Sequence, residues 1–384
     1  MNILLKAAYL HIPFCVQICH YCDFNKIFIH QQPVDEYLQS MKKEMVHTTS
    51  RFKDYEMETI FVGGGTPTSL SEKQLQTFLS DVNEVLGNRF LKEFTVEANP
   101  EQTTKEKIAV LKDNGVNRLS VGVQAFQSSL LKKLGRTHTK EDIYSTVAEA
   151  KKAGIDNMSI DLMFGLPGQT MDMFKESVDE ALALDVPHIS SYSLQIEKKT
   201  VFYNLAQKGK LILPEQELEA AMYDYLIEAL DKKGFKQYEI SNFAIPVFES
   251  KHNLQYWNNN EYFVIGAGAH IYVEGTRRRN AGPLKQYMNL VEEHGFPYIE
   301  EHQVPLSEKM EEEMFMGLRK QEGVSDATFM SRYGRSMFDI YKEPIQRLIQ
   351  KGWLQQREDT LVLTKDGRPL GNEVFQEFIG VVLD

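Results

Sequence analysis

Six times between residues 7 and 234, a short run of apolar, β-branched residues is followed by a longer stretch of helical periodicity. No other feature restricts the fold so tightly. The strand-like runs are 7–14 (AAYLHIPF), 58–63 (ETIFVG), 93–98 (EFTVEA), 118–125 (RLSVGVQA), 157–164 (NMSIDLMF) and 188–195 (HISSYSLQ). Helical patterns lie at 35–50, 71–87, 104–114, 140–153, 170–184 and 215–233; several open on a capping residue (Ser71, Thr104) and several close on glycine (Gly115, Gly154, Gly234). Strands alternating with helices at this spacing pair in parallel through right-handed crossovers. Six units fall short of the eight that close a TIM barrel. The expected fold is therefore α/β, a partial (β/α)6 TIM-like barrel over 1–234, with an open doubly wound sheet as the alternative.

Beyond residue 234 the alternation stops. Residues 235–304 are rich in aromatics and asparagine and read as an irregular extension packed on the sheet. Residues 305–384 read helix, helix, hairpin, helix, the order of a small winged-helix-like α+β domain. The chain has 384 residues with a net charge of −11, which argues against a general nucleic-acid binder. The local cluster Arg277-Arg278-Arg279 reads as a solvated turn. No basic leader with a cleavage site and no apolar run of about 18 residues is present, so the expected location is cytoplasmic.

Polar residues of ligand type gather at the C-terminal ends of the six strands: Cys15, glycines 63–65, Glu97, Gln124, Asp161 and Gln195. In parallel α/β folds that rim is where ligands bind. The three cysteines, Cys15, Cys19 and Cys22, are the only ones in the chain and sit within eight residues. An odd, clustered set does not read as a disulfide framework. Three thiolates leave one iron of a [4Fe–4S] cubane open to an external ligand. A Cys3His zinc site completed by His11 or His20 stays open on spacing alone. The run Gly63-Gly64-Gly65-Thr66 lets backbone approach a ligand closely, or forms an ordinary tight turn.

The Cys-x3-Cys-x2-Cys spacing at the end of a first strand, with Tyr21 and Phe24 beside the third cysteine, resembles the radical S-adenosylmethionine (SAM) superfamily. That resemblance implies a cluster whose open iron is chelated by SAM, cleavage of SAM to a 5′-deoxyadenosyl radical, and a partial or full (β/α) barrel. Further segments (residues 9–15, 63–68, 120–126, 134–136 and 161–168) resemble the oxygen-independent coproporphyrinogen III oxidase-like group. By this match Tyr9, Gly64, Gly65, Thr66, Glu97, Gln124, Arg136 and Asp161 fall on positions that contact SAM.

Two features separate the branches of that group. The oxidases carry a fourth cysteine two places past the third; here Phe24 stands there, as in the heme-chaperone branch. His252-Asn253-Leu254-Gln255-Tyr256-Trp257 is similar to the HNxxYW motif associated with heme in that branch. An imidazole can ligate heme iron and aromatics can stack on a porphyrin; the plainer alternative is an aromatic turn with His252 in a hydrogen bond. The resemblance implies three cofactors, a [4Fe–4S] cluster, SAM and heme. It implies apo-hemoproteins as recipients, membrane-bound respiratory enzymes among them, no nucleic-acid partner, and a homodimer as an admissible state. The competing reading is oxidative decarboxylation of coproporphyrinogen III.

Overall fold

The computed structural model describes residues 4–87 and 91–382; the ends of the first and last expected domains, 1–3 and 383–384, lie outside them. The six expected strands form β1 (Leu5–Ile12), β2 (Tyr55–Gly64), β3 (Glu93–Ala98), β4 (Arg118–Gln124), β5 (Asn157–Phe164) and β6 (His188–Ser193), each parallel to the next. Eight helices accompany them: α1 (Val34–Arg51), α2 (Glu72–Leu86), α3 (Lys105–Asp113), α4 (Ser128–Leu134), α5 (Lys140–Lys152), α6 (Met171–Ala183), α7 (Val201–Gln207) and α8 (Gln216–Asp231). The caps work as the residue types demand. Ser71 accepts the backbone N–H of Gln74 at the start of α2, and Thr104 that of Lys107 at the start of α3. The seven-residue α4 and α7, absent from the sequence reading, are too short for a periodic signal.

Residues 235–304 carry more regular structure than the sequence pattern suggests: three short strands from this stretch join the main sheet, β7 (Lys236–Gln237), β8 (Asn242–Ala244) and β9 (Phe263–Ile265). The sheet order is β9-β1-β2-β3-β4-β5-β6-β8-β7, with β9 parallel to β1 and β8 antiparallel to β6. Strands of two or three residues fall below the four to eight that make a legible run. The same stretch holds α9 (Lys251–Trp257), α10 (Leu284–His294) and an antiparallel sheet of β10 (His270–Val273), β11 (Thr276–Asn280) and β12 (Tyr298–Gln303). Arg277, Arg278 and Arg279 are therefore no turn but the middle strand of that sheet, paired with Glu312, Glu301 and Glu300.

The C-terminal part consists of α11 (Leu306–Leu318), β13 (Val324–Ser325), α12 (Asp326–Tyr333), α13 (Met337–Ile340), α14 (Lys342–Gln350), β14 (Leu354–Arg357), β15 (Thr360–Leu363) and α15 (Gly371–Gln376). Its three strands pair in the order β13-β15-β14, and Met314, Leu318, Phe329, Leu348 and Phe378 form a core of its own. Among the described residues no helix is long and apolar enough to cross a membrane.

Candidate functional site

The strand ends converge on a cavity of about 420 Å³. It is lined by Cys15, Cys19, Cys22, Phe24, Gly64, Gly65, Thr66, Glu97, Gln124, Arg136, Asp161 and Gln195, all singled out from the sequence. Tyr9 and His252 are not among its walls. The cysteines lie on the loop that leaves β1, and the glycine run fastens that loop. Gly65 N–H donates to the Ile12 carbonyl at 2.8 Å, and Thr66 N–H to that of Phe14 at 2.8 Å. A Cβ on Gly63 would stand 2.8 Å from the Glu97 carboxyl, and one on Gly64 (φ +113°) 2.3 Å from the His11 ring. The glycines are there because loop, carboxylate and imidazole already occupy the space.

Arg136 bridges the far wall. Its Nη1 donates to Cys19 Sγ at 3.5 Å, and its Nη2 to Asn99 Oδ1 at 2.9 Å and to the Gly122 carbonyl. Gly122 makes room for it, since a Cβ there would meet Nη2 at 3.1 Å. Gln124 holds φ +67° where the β4–β5 register slips, a left-handed conformation that a non-glycine residue adopts only when its surroundings impose it. Thr66 Oγ1 reaches Cys15 Sγ at 3.7 Å.

Burial governs the ionisation of these groups. Glu97 is pushed up to about 7 by burial, against the pull of the Gly64 N–H, and the nearby Asp161 charge adds to the rise. Asp161 is pushed up to about 6 by burial, offset by hydrogen bonds from Ser190, Ser120 and Ser159 and by the charge of Arg118. Burial likewise raises the Cys15 thiol to about 11, so iron would have to displace its proton.

The donor set fits an iron–sulfur group better than zinc. His11 Nε2–H donates to the Asn25 carbonyl at 2.7 Å, which leaves Nδ1 to accept from the Tyr9 hydroxyl at 3.1 Å. His20 Nδ1–H donates to the Lys133 carbonyl at 2.8 Å, and its ring packs on Gly135 and Phe202. Both ring nitrogens of His11 are thus engaged, and it is not offered to the thiols as a fourth ligand. Arg136 and Thr66 instead point donors at two of the sulfurs, the way charge on a cluster is stabilised.

His252 lies at the other end of the barrel. Helix α9 closes that end, with the Glu93 carboxylate at the first residue of β3 accepting the N–H groups of Lys251 and His252. The imidazole is 1% exposed, with Nδ1 3.0 Å from Thr59 Oγ1 and Nε2 2.8 Å from Tyr256 Oη. Burial, then the Arg118 charge, pushes it down to about 3. Both nitrogens are engaged in these hydrogen bonds, the arrangement that the hydrogen-bonding alternative describes. Trp257 is half-buried and lies against Arg319 of the C-terminal part, 4.6 Å from ring centroid to guanidinium. Tyr9 stands inside the barrel between the two ends, stacked on Phe61.

The sequence reading missed several wall residues, among them Asn99, Ser120, Tyr192 and Glu197. Ser120 and Tyr192 could have been found by counting every second residue inward along β4 and β6. Asn99 and Glu197 lie on irregular segments with no such period.

Residues 9–181 match the family model of the radical SAM superfamily, and residues 304–370 that of the HemN C-terminal domain. The chain is 52% identical over 377 residues to the heme chaperone HemW of Bacillus subtilis, covering 98% of this chain and 100% of that one. It is 45% identical over 377 residues to the heme chaperone HemW of Lactococcus lactis, covering 97% of each. Among solved structures it is similar to coproporphyrinogen III oxidase (HemN) from Escherichia coli, a radical SAM enzyme, with a TM-score of 0.88 over 100% of this chain and 92% of that one. At 23% identity that likeness speaks for the fold alone.

Proposed function

The chain belongs to the heme chaperone HemW family of the radical SAM superfamily, and from that premise we propose that it binds heme and delivers it to apo-hemoproteins, respiratory-chain enzymes among the recipients. The observation that carries the reading is Phe24, apolar and 62% exposed at the mouth of the cavity, where the oxidases have a further cysteine. An exposed aromatic beside the third cysteine suits the face of a flat apolar ligand.

In this reading Cys15, Cys19 and Cys22 hold a [4Fe–4S] cluster, and its fourth iron is left for SAM. When bound, the cluster supplies an electron to SAM. The chain's own residues bind and orient. The backbone of Gly64 and Gly65 approaches the ligand without side chains in the way. Glu97 and Asp161 accept hydrogen bonds from ammonium or hydroxyl donors, and Arg136 keeps positive charge beside Cys19.

The test is a paired assay on anaerobically reconstituted protein. With hemin, heme is expected to stay with the chain through gel filtration and to pass to an apo-hemoprotein. With coproporphyrinogen III, SAM and reductant, no protoporphyrinogen is expected. Its appearance with consumption of SAM would replace this reading with the oxidase.

A further inference from the structure

The loop that carries the cysteines is fastened along its length. At its start Gly65 and Thr66 hold Ile12 and Phe14. In its middle the His20 N–H donates to the Leu134 carbonyl at 2.9 Å, and the Phe202 N–H donates to the His20 carbonyl at 3.0 Å. Past Cys22 the N–H groups of Ile27 and Ile29 donate to the carbonyls of Pro13 and Cys15, which closes the loop on itself. Asn25 ties this far end to a distant part of the chain. Its carboxamide Nδ2 donates to the Ala267 carbonyl at 2.8 Å and to the Gly282 carbonyl at 3.1 Å. Its backbone carbonyl accepts His11 Nε2–H at 2.7 Å.

The turns that receive the carboxamide are themselves held. Ala267 lies between β9 and β10, and Gly282 between β11 and α10. Ala267 N–H donates to Tyr37 Oη at 3.0 Å, and that hydroxyl donates to the His11 carbonyl at 2.8 Å. Gly266 N–H donates to the buried Glu44 carboxylate at 2.8 Å, and Asn280 Nδ2 reaches both Glu44 and the Gly266 carbonyl. The space is cut to the asparagine: a Cβ on Gly268 (φ +74°) would stand 2.6 Å from Asn25 Nδ2. Two carbonyls of separate turns need two N–H donors from one short side chain. A carboxamide has them, whereas an ionised carboxylate of the same shape has none.

Asn25 follows Phe24 directly and stands three positions after Cys22. We infer that Asn25 is a positioning residue for the third thiolate: by pinning the far end of the cysteine loop to the turns at 267 and 282, it sets where Cys22 meets the cluster. The inference rests on the reading of the three cysteines as cluster ligands.

The experiment is anaerobic reconstitution of the full chain with iron and sulfide. It reads iron per chain, the electron paramagnetic resonance signal of the reduced cluster, and the melting temperature. Two lost bonds shift the balance between seated and displaced loop by about thirtyfold, so Asn25→Asp is expected to hold less than half the parent's iron. The cluster that does assemble gives an altered signal, because one thiolate meets it differently. Asn114→Ala is the stability control. That buried carboxamide donates to the Val110 carbonyl at 2.8 Å and to Gln76 Oε1 at 3.0 Å, joining α3 to α2. It is expected to lower the melting temperature and leave iron and signal as in the parent. Parent-like iron or a parent-like signal in Asn25→Asp overturns the inference, as does an equal loss of iron in Asn114→Ala. Full loading of Cys22→Ser overturns the cluster reading instead. If Asn25→Asp does not fold, Gly268→Ala decides: it crowds the carboxamide from the opposite side, and parent-like iron there overturns the inference.

Discussion

Gly65→Ala isolates the contact that holds the cysteine loop in place. Gly65 lies outside the left-handed region, so backbone strain plays no part and the effect is steric. The added Cβ would lie 2.7 Å from the Pro13 carbonyl carbon, 2.8 Å from the Phe14 oxygen and 2.9 Å from the Ile12 oxygen. These are backbone atoms, so no side chain can swing away. Ordinary contact begins near 3.4 Å, and residues 12–14 must retreat by about 0.7 Å. The same residues accept the N–H groups of Gly65 and Thr66 at 2.8 Å, and the retreat stretches both bonds to the limit of hydrogen bonding. Two bonds at about 1 kcal/mol each, with overpacking of about 1–3 kcal/mol, give about 3–5 kcal/mol, over a hundredfold in an equilibrium constant. Cys15 follows Phe14 directly, so the loss falls on the geometry of the thiols. Iron per chain after anaerobic reconstitution should drop to a small fraction of the parent's, with circular dichroism unchanged. Gly115→Ala is the control: its φ of +85° makes the substitution costly to stability, yet nothing lies within 4 Å, so iron content should stay at the parent level. Full iron loading of Gly65→Ala with an unchanged melting temperature would refute the reasoning.

Three further outcomes are expected. His252→Ala should cost about 3 kcal/mol, because it opens a buried cavity and strands Thr59 and Tyr256; denaturant titration measures this, and a variant as stable as the parent would contradict the burial. Glu44 is buried, accepts from Gly266 N–H, Asn280 Nδ2 and Tyr287 Oη, and is pushed by burial from the ordinary 4.5 up to about 7. Between those values the folded chain keeps a proton that the unfolded chain has lost, so stability falls as pH rises, by at most about 3 kcal/mol; Glu44→Gln should flatten that slope in urea titrations at pH 5 and 7. Arg319→Ala removes the contact over Trp257, worth about 1–2 kcal/mol when desolvated. Amides of α11–α15 should then exchange faster than those of the barrel, and uniform exchange would show that the contact does not dock the C-terminal part.

What the sequence disclosed follows from where the physics is local. The six strands and their helices were legible because each is a periodic run with caps at its ends, and the caps at Ser71 and Thr104 work as their residue types require. The cavity rim was legible for a related reason: a parallel sheet brings its C-terminal ends together whatever the side chains are, so Cys15, Gly64, Glu97, Gln124 and Asp161 had to meet. What stayed hidden depends on partners distant in the chain. β9 is three residues long and is a strand only because β1 lies beside it. Arg277-Arg278-Arg279 looks basic until the glutamates at 300, 301 and 312 fold against it.

His252 shows the limit most sharply. An exposed histidine and a buried one read alike in sequence, and here Glu93, 159 positions earlier, anchors the helix that turns the imidazole inward. A motif can name the residue types a ligand needs, but only the fold decides whether their lone pairs are free. At the cysteines the fastening is local: Gly65, just past the end of the neighbouring strand, holds the start of their loop. At α9 distant partners decide, and heme ligation by His252 would require that helix to leave the end of the barrel it closes, breaking the bonds to Glu93, Thr59 and Tyr256 together.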